Sequence, residues 1–329
     1  MAQSMRVMND GVGLHVELAG PEGAPGLPIL CVHGWPELAH SWRHQLAHFA
    51  ALGRRIAALD VRGYGRSDKP WPVEAYRMSV ICSDIAAVID ALGGRAILFG
   101  HDWGAPIVYH TALRYPEKVA AVAGLSVPYA PVGDVSFLDM ARQIYKDRFF
   151  YQLYFQEEGK AEMELGGDPL ALHKIYFGIS ASKTDRAFLM NKPPSAGLLD
   201  GIAAPERLPD WMPEADMTVF VRAFREGGWR GPINRYRAQD LDFREREPVK
   251  GRRLAQPHCF IGGEFDIVRH FVPGVDLYAD PGQHADDFRG STIVPRAGHW
   301  VQQEAPEVVN RALEAFVASL EDVRPAAAA

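Results

Sequence analysis

The chain has 329 residues and a mass of 36.4 kDa; 47% of its residues are hydrophobic and 23% are charged, the composition of an ordinary globular protein. Its net charge of -6 and isoelectric point near 6.1 provide no basic surface for phosphates, which argues against nucleic-acid binding. No signal-peptide pattern or membrane-span run of roughly 18 apolar residues is present, and the three cysteines lack disulfide or metal spacing, so we expect a cytoplasmic protein without a membrane span.

Short apolar runs that predict strands alternate with helical patterns along most of the chain. The runs are PILCVHG, RRIAALD, RAILFG and VAAVAGLSV in the first 130 residues, then PHCFIGG and STIVP near the end. Apolar residues recur on one helical face from Ile81 to Leu92, and again from Val309 to Leu320 behind Pro306. This alternation favours an α/β fold with a mostly parallel central sheet and helices on both faces.

The character of the sequence changes between residues 131 and 243. Strand-like runs vanish there, aromatic residues are frequent, and Pro and Gly interrupt the helical patterns over residues 191–216. We therefore predict a core domain formed by residues 1–130 and 244–329, with a helical domain of residues 131–243 inserted in it. The final stretch, RPAAAA, has low complexity, and we expect it to be frayed.

The stretch AILFGHDWGAPIVYH contains the most informative motif. An apolar run ends at Phe99, and Gly-x-Asp-x-Gly then occupies the place where many hydrolases carry Gly-x-Ser-x-Gly, the strand-to-helix turn that presents a nucleophile. Asp102 stands in the nucleophile position, and Gly100 and Gly104 stand where a Cβ would clash in so tight a turn. A carboxylate is ionised at neutral pH, so Asp102 can attack saturated carbon without a base and form an alkyl ester.

Hydrolysis of such an ester requires a base, an acid that orients the base, and an oxyanion hole. His299 follows an apparent strand late in the chain, where this order of catalytic residues places its histidine. The orienting acid is Asp266 or its neighbour Glu264, and its position in the motif favours Asp266. The backbone N–H groups of Trp35 and Trp103 are the candidate oxyanion donors.

The motifs HGWPE, DVRGYGRSDKP, GHDWGA, YQLYFQEEGKAEMEL, INRYR, GGEFD and AGHW together resemble those of the soluble epoxide hydrolases of the α/β-hydrolase superfamily. The resemblance extends from about Gly11 to Leu320. It implies an α/β-hydrolase fold in which residues 131–243 form a helical cap over the active site. It also implies that Asp102 is the nucleophile, His299 the base and Asp266 the orienting acid.

The resemblance further assigns residues of the predicted cap. Two tyrosines that in this family protonate the epoxide oxygen correspond to Tyr151 in YQLYFQ and Tyr236 in INRYR, and Tyr154 is the alternative to Tyr151. A phenol with a pKa near 10 is protonated at neutral pH and can donate to a developing alkoxide. The side chains expected to contact the substrate are aromatic: Trp35, Trp103, Tyr154 and Phe155.

The predicted function is hydrolysis of a small apolar epoxide by water to a vicinal diol, through an ester on Asp102 and without a cofactor or metal. His40, His44 and His48 recur every four residues, but no carboxylate or cysteine with ligand spacing accompanies them, so they do not predict a metal site.

The alternative functions are a haloalkane or haloacid dehalogenase, which shares the aspartate, the histidine and the fold, and a non-catalytic ligand-binding protein of the same fold. The sequence leaves open whether the chain forms a homodimer, and it does not separate detoxification from biosynthesis.

Overall fold

A mostly parallel sheet is the centre of the computed structural model, which describes residues 3–179 and 191–321. Within those residues the sheet has eight strands: β1 Gln3–Asn9, β2 Val12–Ala19, β3 Ile29–Val32, β4 Ile56–Leu59, β5 Ala96–His101, β6 Val119–Leu125, β7 His258–Gly263 and β8 Phe288–Val294. Their spatial order is β1-β2-β4-β3-β5-β6-β7-β8, and neighbours among β3 to β8 run parallel. Each of the six predicted apolar runs overlaps one of these parallel strands, which confirms the predicted α/β architecture. The predicted frayed end, RPAAAA, lies outside the described residues.

Helices follow most of the strands in the chain. Their bounds are α1 Arg43–Ala51, α2 Met78–Ala91, α3 Gly104–Arg114, α4 Phe137–Ile144, α5 Tyr151–Tyr154, α6 Lys160–Gly167, α7 Ala171–Ile179, α8 Glu214–Gly227, α9 Arg230–Arg237, α10 Gln239–Arg244, α11 Val301–Glu304 and α12 Pro306–Glu321. Short 3₁₀ helices cover Ala39–Trp42, Val73–Tyr76 and Ile267–His270. The two helices predicted from periodicity are α2 and α12. No helix among the described residues combines the length and apolarity needed to cross a membrane.

The alternation of side chains along each buried strand divides the core into two layers. Leu30 of β3 and Leu98 of β5 belong to the apolar cluster that includes α2 and α3. Cys31 of β3 and Phe99 of β5 point to the other face, where they join α1 and α12. Because successive residues of a strand face opposite sides of the sheet, a strand buried on both faces must be apolar throughout. This explains the continuous apolar runs in the sequence.

The antiparallel hairpin of β1 and β2 was not predicted. Asn9 pairs with Val12 across the turn, whose central residues Asp10 and Gly11 have φ of 45° and 77°. Two consecutive positive φ values fit the type I′ turn, for which Asp-Gly is a preferred pair. The Asp-Gly dipeptide between two stretches of strand-forming residues was therefore an available signal for this hairpin.

The described residues between β6 and β7 contain the helices α4 to α10. Many of their apolar side chains, among them Phe155, Tyr176, Phe220 and Ile233, belong to the same buried cluster as the residues of α2 and α3. These side chains therefore pack onto one face of the core. The division into a core domain and an inserted cap of residues 131–243 stays a prediction.

His258, the first residue of β7, is fully buried, and among the described residues neither of its ring nitrogens has a hydrogen-bond partner. The rings of Tyr109 and Phe288 lie 5.4 and 5.5 Å from its ring, measured between centroids. Burial lowers the pKa of the His258 imidazole to about 4. A histidine in an unfolded chain titrates near 6.5, so between pH 6.5 and 4 the unfolded chain takes up a proton that the folded chain excludes.

We predict that His258 makes the fold sensitive to acid. Stability should fall as the pH drops from 7 to 5, and this residue should account for about 2 kcal/mol of the loss. Replacement of His258 by Phe should remove that part of the loss, as measured by urea unfolding at both pH values. The exposed His270, changed to Gln, is the control and should leave the pH dependence unaltered. An equal loss in His258→Phe and in the unchanged protein would show that His258 does not contribute.

Candidate active site

Asp102 lies at a strained turn between β5 and α3. Its φ is 50°, a value that side chains other than glycine adopt rarely. A Cβ at Gly100 would approach the carbonyl oxygen of Gly104 to 2.3 Å, and a Cβ at Gly104 would approach that of Val32 to 2.0 Å. The predicted need for glycine at these two positions is thus confirmed. The turn places the Asp102 carboxylate at the carboxyl end of the parallel sheet.

Both oxygens of the Asp102 carboxylate have partners. The backbone N–H of Trp35 donates to Oδ1 at 2.8 Å, and Nε2 of His299 lies 3.3 Å from Oδ2. Trp103 immediately precedes α3, where backbone N–H groups lack partners within the helix. A Cβ at Gly34 would lie 2.4 Å from Cβ of Asp102, so only glycine allows the chain before Trp35 to approach the carboxylate so closely.

The structure brings Asp266, and not Glu264, to the histidine. Nδ1 of His299 lies 3.0 and 3.1 Å from the two carboxylate oxygens of Asp266, which is fully buried. The hydroxyl of Tyr278 also donates to Asp266 at 2.8 Å. Glu264 instead accepts the backbone N–H of Arg296 at 2.8 Å. Of the two acids that the sequence left open, Asp266 is the one placed to orient His299.

Burial and charge oppose each other at this histidine. Burial disfavours the charged imidazole, but the carboxylates of Asp266 and Asp102 outweigh it and hold the pKa of His299 well above its usual range. Burial also disfavours ionised Asp266, yet the charge and hydrogen bond of His299 keep the pKa of Asp266 below its usual value. The two flanking acids therefore favour the protonated form of the His299 imidazole.

The His299 backbone is fixed by a second group of buried polar side chains. Nε2 of His101 donates to the His299 carbonyl oxygen at 2.7 Å, and the hydroxyl of Ser126 donates to the same oxygen at 2.8 Å. Nδ1 of His101 lies 2.6 Å from the carboxylate of Glu37. Burial would raise the pKa of Glu37, but His101 lowers it to about 2. Sequence reasoning did not identify Glu37, although this residue lies within the motif HGWPE.

A largely apolar cavity opens onto Asp102 and His299. Tyr151 and Tyr236 line it, and their ring centroids are 5.7 Å apart. Burial raises the pKa of both phenols well above 10, so both remain proton donors at neutral pH. The other lining residues are Trp35, Tyr145, Phe149, Phe150, Lys192, Leu198, Ile202, Ile267, Val268, Phe271 and Trp300.

Three predicted substrate-contacting side chains lie outside the cavity lining. The hydroxyl of Tyr154 donates to Glu164 at 2.7 Å, which directs it away from the cavity. Phe155 is fully buried, with its ring centroid 4.9 Å from that of Tyr236. The Trp103 ring also packs against Tyr236, at 5.3 Å. The structure places these three side chains beside the residues that line the cavity, and their contact with the substrate stays a prediction.

Two charged side chains hold one wall of the cavity in place. Lys192, which is buried, donates through Nζ to the carbonyl oxygen of Leu198 at 2.7 Å. Glu164 accepts the backbone N–H groups of Leu198 and Leu199 at 3.0 and 2.9 Å. Sequence reasoning identified neither residue. Lys192 lies in a stretch without regular periodicity, and Glu164 lies in the motif YQLYFQEEGKAEMEL, which carried no sign of this role.

The chain is similar to known proteins in sequence. Residues 28–178 match the family model of the α/β hydrolase fold. Epoxide hydrolase A of Mycobacterium tuberculosis is 36% identical over 321 residues, covering 96% of this chain and 97% of that protein.

The chain is also similar to solved structures of epoxide hydrolases. Epoxide hydrolase A from Mycobacterium thermoresistibile is 37% identical with a TM-score of 0.89, over 97% of this chain and 98% of that one. An epoxide hydrolase from an endophytic Streptomyces is 38% identical with a TM-score of 0.91, over 98% of this chain and 96% of that one. The predicted α/β-hydrolase fold is confirmed, and the chain belongs to the epoxide hydrolase family.

Proposed function

We propose that the protein hydrolyses an epoxide to a vicinal diol through an ester between Asp102 and a substrate carbon. The observation that carries the proposal is the position of the Asp102 carboxylate: it lies 3.3 Å from Nε2 of His299 and lines an apolar cavity that Tyr151 and Tyr236 also line. The relatives described above, which are named as epoxide hydrolases, support this choice over a dehalogenase or a non-catalytic binding protein.

Ring opening uses the charges already present in the site. An oxygen of Asp102 attacks an oxirane carbon, and the bond from that carbon to the epoxide oxygen breaks. Tyr151 and Tyr236 donate hydrogen bonds to that oxygen, and it takes up a proton as it leaves the carbon. The proton is replaced from the imidazolium of His299. A carboxylate and an imidazolium thus become a neutral ester and a neutral imidazole, so the number of protons and the total charge are conserved.

Ester formation prepares His299 for the second step. The Asp102 carboxylate is one of the two that raise the pKa of His299, and esterification removes its charge. Neutral His299 then takes a proton from water, and the hydroxide adds to Cγ of Asp102. The backbone N–H groups of Trp35 and Trp103 stabilise the resulting oxyanion. As this intermediate collapses, the bond from Cγ to the ester oxygen breaks, and that oxygen takes the proton of the added hydroxyl. The diol leaves, and the Asp102 carboxylate and the protonated His299 are restored.

We predict that His299→Gln stops the reaction at the ester. The amide cannot activate water, so the Asp102 ester should accumulate when the variant is mixed with an aryl-substituted epoxide. Intact mass spectrometry should show an increase equal to the mass of the epoxide, and peptide mapping should place it on Asp102. Asp102→Asn in the same experiment should give no adduct. Turnover of His299→Gln at the rate of the unchanged protein would contradict the mechanism.

We predict that the two cavity tyrosines act in ring opening and that Tyr154 does not. Tyr151→Phe and Tyr236→Phe should each slow ester formation by about 10- to 100-fold, because each removes one of two proton donors to the leaving oxygen. Tyr154→Phe is the matched control and should have less than a roughly threefold effect, because its hydroxyl is bonded to Glu164. Single-turnover tryptophan fluorescence gives the rates. If Tyr154→Phe slows ester formation as much as Tyr151→Phe does, the result would favour Tyr154, the alternative proton donor, and contradict the prediction.

A further inference from the structure

Arg235 is a buried cation next to one of the cavity tyrosines. It precedes Tyr236 on α9, and only 2% of its surface is exposed. Its guanidinium donates to the backbone carbonyl of Tyr76 and to the carboxylate of Asp242. Burial lowers the pKa of Arg235 to about 10, so the side chain still carries its charge at neutral pH. The residue has no part in the steps described above.

The guanidinium lies over the indole ring of Trp103. Cζ of Arg235 is 4.8 Å from the ring centroid, within the range of an attractive cation–π contact. The same indole packs edge-on against Tyr236, with an angle of 86° between the rings. Trp103 follows the nucleophile directly and does not line the cavity. Arg235, Trp103 and Tyr236 therefore form a continuous row of contacts, which reaches the cavity lining at Tyr236.

The charge of Arg235 is only partly compensated. Its partner Asp242 has a side chain that is 19% exposed, against 2% for that of Arg235. Asp242 also accepts the backbone N–H of Met78 at 2.6 Å. Water and that N–H stabilise the carboxylate at the outer end of the pair, while the guanidinium faces the aromatic stack in a region of low dielectric. Tyr236 is the next residue on α9 and its ring contacts the same indole, so negative charge gained by the Tyr236 oxygen would be attracted to this cation.

We propose that Arg235 is a positioning residue for ring opening, which holds Trp103 against Tyr236 and favours the negative charge that the Tyr236 oxygen gains as it donates its proton. The inference rests on the proposed function. Arg235 exchanges no proton itself; the proton of Tyr236 moves to the epoxide oxygen as the carbon–oxygen bond breaks. Arg235 contacts the indole ring of Trp103, whereas hydrolysis of the ester uses His299 and the backbone N–H groups of Trp35 and Trp103. Arg235 should therefore affect ester formation more than ester hydrolysis.

The test measures both rate constants in single turnovers of Arg235→Met and Arg235→Lys. Loss of the charge in Arg235→Met should slow ester formation by about tenfold, with ester hydrolysis changed by less than about twofold. Lysine keeps the charge and should restore most of the rate. Arg230→Met is the matched control: Arg230 lies on the same helix, pairs with Glu158 and stacks on Trp71 at 3.9 Å, remote from the cavity lining.

A double-mutant cycle separates this role from a general structural one. In a Tyr236→Phe background, Arg235→Met should cause little further loss, because the oxygen on which Arg235 acts is gone. In a Tyr151→Phe background, the tenfold loss should persist. Any of three results would overturn the proposal. Arg235→Met could slow ester formation equally in the Tyr236→Phe and Tyr151→Phe backgrounds, it could slow ester formation and ester hydrolysis equally, or Arg235→Lys could form the ester no faster than Arg235→Met.

The outcomes also separate this inference from the proposed function. Thermal unfolding and the yield of ester per enzyme report the folded fraction of each variant. Arg235→Gln, which can still donate to the Tyr76 carbonyl, replaces the Met variant if that one does not fold. If the unchanged protein forms the ester and Arg235→Met forms it at the same rate, the inference about Arg235 is overturned and the proposed function stands. Absence of both ester and diol in the unchanged protein would overturn both.

Discussion

One imidazole shared by two buried carboxylates determines the charge balance of this site. His299 faces Asp102 through Nε2 and Asp266 through Nδ1, at separations of 3.3 and 3.0 Å. A single buried carboxylate would be costly to ionise without such a partner. The three side chains come from the turns after β5, β7 and β8, whose carboxyl ends meet at one edge of the parallel sheet. The sheet therefore positions the charges, and the charges determine which proton can move.

The buried ions also explain why so much of the surrounding structure is polar. His101 and Ser126 donate hydrogen bonds to the His299 carbonyl oxygen, and Glu37 pairs with His101. The hydroxyl of Tyr278 donates to Asp266. Polar groups buried in a low dielectric stabilise a structure only when they are fully paired, so each ion requires further partners. The resulting network restricts the orientation of the His299 ring. On the opposite side, the cavity is walled almost entirely by apolar and aromatic groups, which keep water from screening the reacting charges.

Local chemistry made part of this arrangement predictable from sequence. Strands buried on both faces must be apolar, and the tight turn at Asp102 leaves room for only glycine at two nearby positions, so the parallel strands and the elbow can be recognised directly. Motif position favoured Asp266, and the structure places that residue on His299.

Contacts between distant segments were not predictable in this way. Tyr154 and Tyr151 lie three residues apart on one helix, and only the Glu164 carboxylate shows that the Tyr154 hydroxyl points away from the cavity. Lys192 and Leu198 come from a stretch without periodicity. Their place in the cavity wall depends on the hydrogen bond between them and on the bond from the Leu198 N–H to Glu164. The Asp-Gly turn of the first hairpin, in contrast, carried a local signal that was not used.

The most direct test of the central claim is a single turnover in oxygen-18 water with enzyme in excess over an aryl-substituted epoxide. Mass spectrometry would then be applied to the diol and to the peptide that contains Asp102. The account predicts a first diol without label, because its new oxygen comes from the Asp102 carboxylate, and one labelled oxygen in Asp102. A labelled first diol together with an unlabelled Asp102 would show that water attacks the epoxide directly, and it would contradict the account.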